Sequence, residues 1–225
     1  GIDAGKLLNE PDTGLILCDN VNDINTDGVF IDFTTPSSTI DNVNYCAKRG
    51  FPMVIGTTGL GKKQKSMIEY SAKYIPIVFA ANFSAGIAFL FKILRDAAKV
   101  FGDRSDIEII ESHHKHKVDS PSGTALAMGS IIANELDKNL SDIGIFNREG
   151  EVGPRPKGRV GFSAIRGGEV VGDHTTMFFC EGETITLSHS AINRRTFSMG
   201  ALRAATWVQS TPPGLYSMND VLNLT

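Results

Sequence analysis

The chain has 225 residues, enough for one or two domains with a sizeable core. With 41% apolar residues and a net charge of −3 it reads as an ordinary globular protein, and its slight acidity argues against a nucleic-acid surface. No apolar run approaches membrane-spanning length, no stretch reads as a secretory signal, and the three widely spaced cysteines (Cys18, Cys46, Cys180) fit reduced thiols better than a disulfide framework; the expectation is a cytoplasmic protein that does not touch a membrane.

The first 25 residues are weakly patterned, with a short strand expected at 15–17. Residues 28–33 form an apolar run suited to a buried parallel strand. Thr35 can cap the helix that follows, Pro36 suits its first position, and Gly50 closes it. Residues 53–55 give a second strand, 62–74 a second helix and 77–80 a third strand. This alternation is the mark of a parallel α/β sheet with right-handed crossovers. Ligands of such sheets bind beyond the carboxyl ends of the strands. Those ends are Phe33-Thr34-Thr35, Gly56-Thr57-Thr58 and Ala80-Ala81-Asn82-Phe83. Each alone reads as ordinary turn chemistry; three in register suggest a dinucleotide cleft. No Gly-x-Gly-x-x-Gly loop occurs, so the expectation is a fragment lacking its amino-terminal unit.

An amphipathic helix is expected from about Ile87 to Gly102, then a strand over 106–110. The Gly-, Pro- and Arg-rich stretch 147–159 reads as a mobile or partner-contacting loop. Strands follow at 160–165, 170–180 and 184–190, with hairpin turns between them. The long 170–180 strand exposes an edge and a face, which a sister subunit would cover. His174 and His189 alternate with apolar residues and read as surface or satisfied strand histidines. A last helix begins near Asn193, with Arg194 and Arg195 opposing its dipole unless they meet an anion.

The most informative stretch is 111–125, Glu-Ser-His-His-Lys-His-Lys-Val-Asp-Ser-Pro-Ser-Gly-Thr-Ala. Ser120 can cap a helix and Pro121 suits its first position; Ala125, Met128, Gly129, Ile132 and Leu136 follow at helical spacing. The free N–H groups near Gly123 and Thr124, with the hydroxyls of Ser122 and Thr124, make a carboxylate or phosphate site. Lys117 adds a point charge and His113 a proton carrier. Each part has a plain alternative: the turn may cap a helix and bind nothing, and the histidines may form a solvated loop. A metal centre is not expected, because adjacent His113 and His114 rarely bind one ion and no Cys pair matches them.

The pattern Glu-x-His-His-x-x-Lys-x-Asp-x-Pro-Ser-Gly-Thr-Ala resembles the signature of the 4-hydroxy-tetrahydrodipicolinate reductase (dihydrodipicolinate reductase) family. Phe30-Ile31-Asp32-Phe33-Thr34, Val54 to Gly59, Ala80 to Ser84, Ile107 to Glu111 and the Arg166-to-Thr175 pattern are similar to the family too. The resemblance implies a Rossmann-like parallel sheet over 1–84 and 194–225, with an inserted α+β domain over 85–193 whose open mixed sheet builds a homotetramer. It implies His113 as acid/base residue, Lys117 as proton donor, and His114, Gly123 and Thr124 as contacts of a cyclic dicarboxylate. It implies Gly56, Thr57, Thr58, Ala80, Ala81, Asn82 and Phe83 as contacts of NADPH or NADH. Thr35 stands where many members carry an arginine, and without the glycine loop the chain by itself is expected to bind NAD(P)H poorly. The alternatives are a semialdehyde dehydrogenase, which needs a catalytic cysteine, and a non-catalytic dicarboxylate sensor.

Overall fold

The computed structural model describes residues 1–24 and 27–224. A short helix, α1 (Ala4–Leu7), comes first; the strand expected at 15–17 reduces to one bridge between Asp3 and Ile16. Then come β1 (Phe30–Asp32), α2 (Pro36–Arg49), β2 (Met53–Ile55), α3 (Lys62–Ser71) and β3 (Pro76–Phe79). The long helix α4 (Ala85–Phe101) leads to β4 (Asp106–His113), α5 (Gly123–Glu135), α6 (Leu140–Ile143) and β5 (Gly144–Ile145). The chain ends with β6 (Val160–Arg166), β7 (Gly172–Phe179), β8 (Thr184–Ala191), α7 (Arg195–Val208), β9 (Gly214–Tyr216) and α8 (Met218–Leu222).

The first sheet has the order β1-β2-β3-β9 and is parallel throughout. Its side chains alternate between two cores. Met53, Ile55 and Ile77 pack with Val43, Cys46 and Ile68 of α2 and α3, whereas Val54 and Val78 pack with Ala201, Ala204 and Val208 of α7. The local signals work as the sequence suggests. Thr35 Oγ1 accepts from the Ser38 N–H, Pro36 opens α2, and Gly50 closes it at φ +76°. The 28–33 run differs from expectation: β1 covers only three of its residues and lies at the sheet edge, so Ile31 is 39% exposed. At Gly200 a Cβ would sit 1.8 Å from the Phe83 carbonyl oxygen, so only glycine lets α7 approach the end of β3 this closely.

Helix α4 joins this sheet to the second one. Ser84, just past β3, caps it by accepting from the Ile87 N–H, and its body packs on α5 and on the second sheet. That sheet has the order β5-β6-β4-β7-β8, with β5, β6 and β4 parallel and β7 and β8 antiparallel. The registers place Val160, Ile107, Phe178 and Ile185 in one row of its inner face and Phe162, Ile109, Thr176 and Leu187 in the next. Higher up the same face turns polar, with Glu111, His174 and His189 in one row and His113 opposite Arg166 above it. The outer face carries residues such as Ser163, Thr175, Thr186 and Ser188. The loop read as mobile or partner-contacting is tethered there: Arg148 pairs with Glu108 at 2.7 Å, and Arg155 holds Glu108, Asp106 and the Ile107 carbonyl. Length alone suggested mobility; two arginines fastened to the middle strand supply the order.

His174 was expected to be satisfied or on the surface. It is 5% exposed, and its Nδ1 has no hydrogen-bond partner among the described residues. Burial, then the neighbouring His113, pushes its imidazole down to about 4. The unfolded ring titrates higher, so the unfolded chain binds more protons below neutrality, and stability falls as the pH drops from about 6.5 towards about 4. The ceiling on this loss is about 3 kcal/mol; His189, also lowered by burial, acts in the same direction. Urea unfolding at a series of pH values is expected to show that slope, and to show a shallower one in H174N. An unchanged slope in H174N contradicts the assignment.

Candidate active site

Strand β4 aims Glu111 and His113, two residues apart, at the same face. Glu111 is 1% exposed and uses both oxygens twice. Its Oε2 lies 2.5 Å from His113 Nδ1 and accepts from Arg166 Nη1 at 2.8 Å. Its Oε1 accepts from Arg166 Nη2 at 2.7 Å and from the Ser122 N–H at 3.1 Å. Burial pushes this carboxyl up, but the hydrogen bonds from Arg166, His113 and Ser122 outweigh it and hold the group below the ordinary carboxylate range. It is therefore an anion at neutral pH.

The helix start differs from expectation by two residues. Ser122, not Ser120, caps α5, and Pro121 lies before the cap. The reason is geometric: Ser122 has extended backbone, and its Oγ accepts from the Ala125 N–H at 3.2 Å. The same hydroxyl is hydrogen-bonded to His174 Nε2, 3.0 Å away. The first-turn amides are then those of Gly123, Thr124 and Ala125. The space beside Gly123 is open, with nothing within 4 Å of where a Cβ would stand.

Gly123 and Thr124 line a cleft of about 540 Å³ between the carboxyl ends of the parallel strands and the start of α5, while the Ala125 N–H is taken by the cap. His113, Lys117, Gly123 and Thr124 line one side, and Thr58, Ala80, Ala81 and Asn82 the other. Asn82 spans the two, its Nδ2 3.5 Å from Thr124 Oγ1 and its Oδ1 accepting from the Ser84 N–H at 2.8 Å. Lys117 pairs with Asp119 at 2.7 Å, so its charge is placed rather than free.

The other residues singled out in the sequence lie outside this lining. The ring of His114 reaches Arg194 instead, Nε2 to Nη2 at 3.4 Å, which gives that odd helix-start arginine a neighbour. Gly56 packs under Phe33, where a Cβ would clash with the ring at 2.1 Å. Thr57 is buried and accepts from the Thr34 N–H at 3.0 Å; Phe83 is 2% exposed beneath α7. These three support the strand ends rather than face the cleft. Ser122, whose hydroxyl the sequence singled out, lines the cleft as well; sequence reading missed the roles of Glu111, Arg166 and His174 and the start of α8, where Ser217, Met218 and Asn219 complete the cleft wall. The period-two run Ile107, Ile109, Glu111, His113 was a usable signal for Glu111. Arg166 stood out only as the first residue of the family-like 166–175 pattern, because its place opposite His113 depends on the β4–β6 register.

Comparison with known proteins agrees with this geometry. Residues 1–83 match the family description "Dihydrodipicolinate reductase, N-terminus", and residues 86–222 match "Dihydrodipicolinate reductase, C-terminus". The chain is 49% identical over all 225 residues to a 4-hydroxy-tetrahydrodipicolinate reductase of Pseudomonas fluorescens Pf0-1, covering 84% of that protein. It is 48% identical to one of Acinetobacter baumannii AYE, covering 82% of it. Among solved structures, a dipicolinate-bound dihydrodipicolinate reductase from Paenisporosarcina sp. TG-14 superposes with TM-score 0.69 at 29% identity, over 84% of this chain and 71% of that one. An amine dehydrogenase from Mycobacterium smegmatis, at 10% identity and TM-score 0.56 over 97% of this chain and 84% of its own, shares the fold alone. With both of its halves matched and nearly half of its residues identical to curated members, this chain belongs to the dihydrodipicolinate reductase family.

Proposed function

We propose that this chain reduces 4-hydroxy-tetrahydrodipicolinate to tetrahydrodipicolinate with NADH or NADPH, a step towards diaminopimelate and lysine. The observation that carries the reading is the convergence on one cleft of a carboxylate-held histidine, a lysine and the amino terminus of α5, next to the carboxyl ends of a parallel sheet. The names of the relatives support it.

The substrate is a cyclic imine with two carboxylates. One carboxylate fits the first-turn amides of Gly123 and Thr124, where N–H groups and the helix dipole favour an anion. Lys117 attracts the same charge and can give up a proton. His113 acts as acid/base with its Nε2, because Nδ1 is committed to Glu111. When bound, the nicotinamide supplies a hydride to the ring carbon that loses its hydroxyl. The departing hydroxide takes up one proton and leaves as water, so hydride and proton together balance the step. Thr58, Ala80, Ala81 and Asn82 would hold the nicotinamide end; all are small enough to let a planar ring approach the backbone. Gly56, Thr57 and Phe83 would act from beneath, by fixing the strand ends. His114, turned towards Arg194, would reach the substrate only at its far edge.

None of the three cysteines lines the cleft among the described residues, which leaves the semialdehyde alternative without a nucleophile. We also propose two units, 1–84 with 194–225 and 85–193, and a cytoplasmic homotetramer built on the outer face of the mixed sheet. Support comes from the separate cores and from exposed apolar residues on that face, such as Ile165 and Phe179.

Steady-state assays with substrate made in place from pyruvate and aspartate semialdehyde test the chemistry. H113Q is expected to lower kcat by about 10²- to 10⁴-fold while changing KM little. Undiminished turnover in H113Q removes that role. K117A is expected to lower kcat and raise KM together, since one group both attracts and protonates; a change confined to KM would leave it as a binding residue only. Sedimentation of the native chain is expected to give four copies, and a monomer would contradict the proposed assembly.

A further inference from the structure

Residues Glu111 and Arg166 are not among those lining the cleft, yet the wall formed by His113, Lys117 and the start of α5 is fastened to them. Glu111 Oε2 holds His113 Nδ1, and Oε1 holds the N–H of Ser122, the cap whose turn presents Gly123 and Thr124. Arg166 grips both oxygens and also donates to the Asp119 carbonyl at 2.8 Å. Asp119 in turn pairs with Lys117. One buried carboxylate and one guanidinium thus set the spacing between the proton carrier, the anion cradle and the lysine.

We propose that Glu111 is the positioning residue of this site: clamped by Arg166, it fixes the ring of His113 with Nε2 free and ties that ring to the amino terminus of α5. The inference rests on the role given above to His113. A metal-free pair of this kind works as the acid of a catalytic triad does. It sets the tautomer and orientation of the imidazole. The geometry supports a fixed ring. Gly172 stands so close that a Cβ there would be 3.0 Å from His113 Nε2, and His174 packs edge-on at 5.1 Å. The charged and titratable groups around His113 are Glu111 on its own strand, Arg166 on β6, His174 on β7, and Lys117 and Asp119 in the loop before α5.

The two oxygens of Glu111 allow the functions to be separated. In E111Q the amide oxygen can still accept from Ser122, but the charge beside His113 is gone. Its kcat is expected to fall by about 10²-fold. Dipicolinate binding, followed by calorimetry, should stay within about threefold, and the alkaline limb of the pH–rate profile should move to lower pH. E111A removes both contacts, and is expected to lose kcat and dipicolinate affinity together. In R166K, at a partly exposed position, kcat is expected to fall by about tenfold. Turnover and pH profile in E111Q equal to the natural chain's would overturn the proposal. So would a loss of kcat with no movement of the alkaline limb, because that is the signature of a merely structural group. If E111Q does not fold, natural turnover in R166K overturns it equally well. H113Q measured alongside keeps the two claims apart: full turnover there removes the acid/base reading of His113, whatever Glu111 does.

Discussion

Glu111 sits at the seam between the mixed sheet and α5, where a bare carboxylate would be costly to bury. It stays charged because Arg166 meets it with a bidentate pair and because the Ser122 N–H and His113 fill its remaining acceptor sites. Such a pair adds little net stability compared with apolar packing, but breaking it by removing one partner typically costs about 3–5 kcal/mol. Its value here is placement. The strand that carries Glu111 also carries His113, and the turn it grips opens the helix whose first residues line the cleft.

The rest of the molecule places the ends of the parallel strands opposite this point. The parallel sheet is held between α2 and α3 on one side and α7 and α8 on the other, so the ends of β2 and β3 are fixed in height. Gly200 sharpens this by letting α7 rest on the Phe83 carbonyl. Helix α4 starts at Ser84, immediately past those ends, and its body packs on the mixed sheet. Asn82 spans the junction through Ser84 and Thr124. The two sides of the cleft, strand ends and start of α5, are therefore connected by two residues and a helix cap rather than by a long flexible path.

Much of this could be read before the fold was known. The alternation of strands and helices, the Thr35-Pro36 helix start and the Gly50 stop are local signals, and local signals survive folding. The 111–125 stretch carried His113, Lys117, Gly123 and Thr124 in a span short enough for one loop and one turn, and the cleft gathers all four. What could not be read depends on register. Arg166 lies 55 residues from Glu111, and only the pairing of β4 with β6 brings it there. The same is true of His174, whose burial follows from the pairing of β4 with β7 and from α5 lying over the sheet. The helix cap moved from Ser120 to Ser122 because both are serines beside a proline, and composition cannot choose between them. The tethering of the 147–159 loop could not be read either, because its two anchoring arginines find their carboxylates on a strand some 40 residues earlier.

The central claim is the location of the reacting centre, at the start of α5 and against His113. A crystal structure with dipicolinate and NADPH bound tests it most directly. The expected result is a dipicolinate carboxylate on the N–H groups of Gly123 and Thr124, with His113 Nε2 turned to the ring and the nicotinamide against Thr58, Ala80 and Ala81. A ligand seated elsewhere, for example on His114 and Arg194 with the α5 amides left to solvent, would contradict the account.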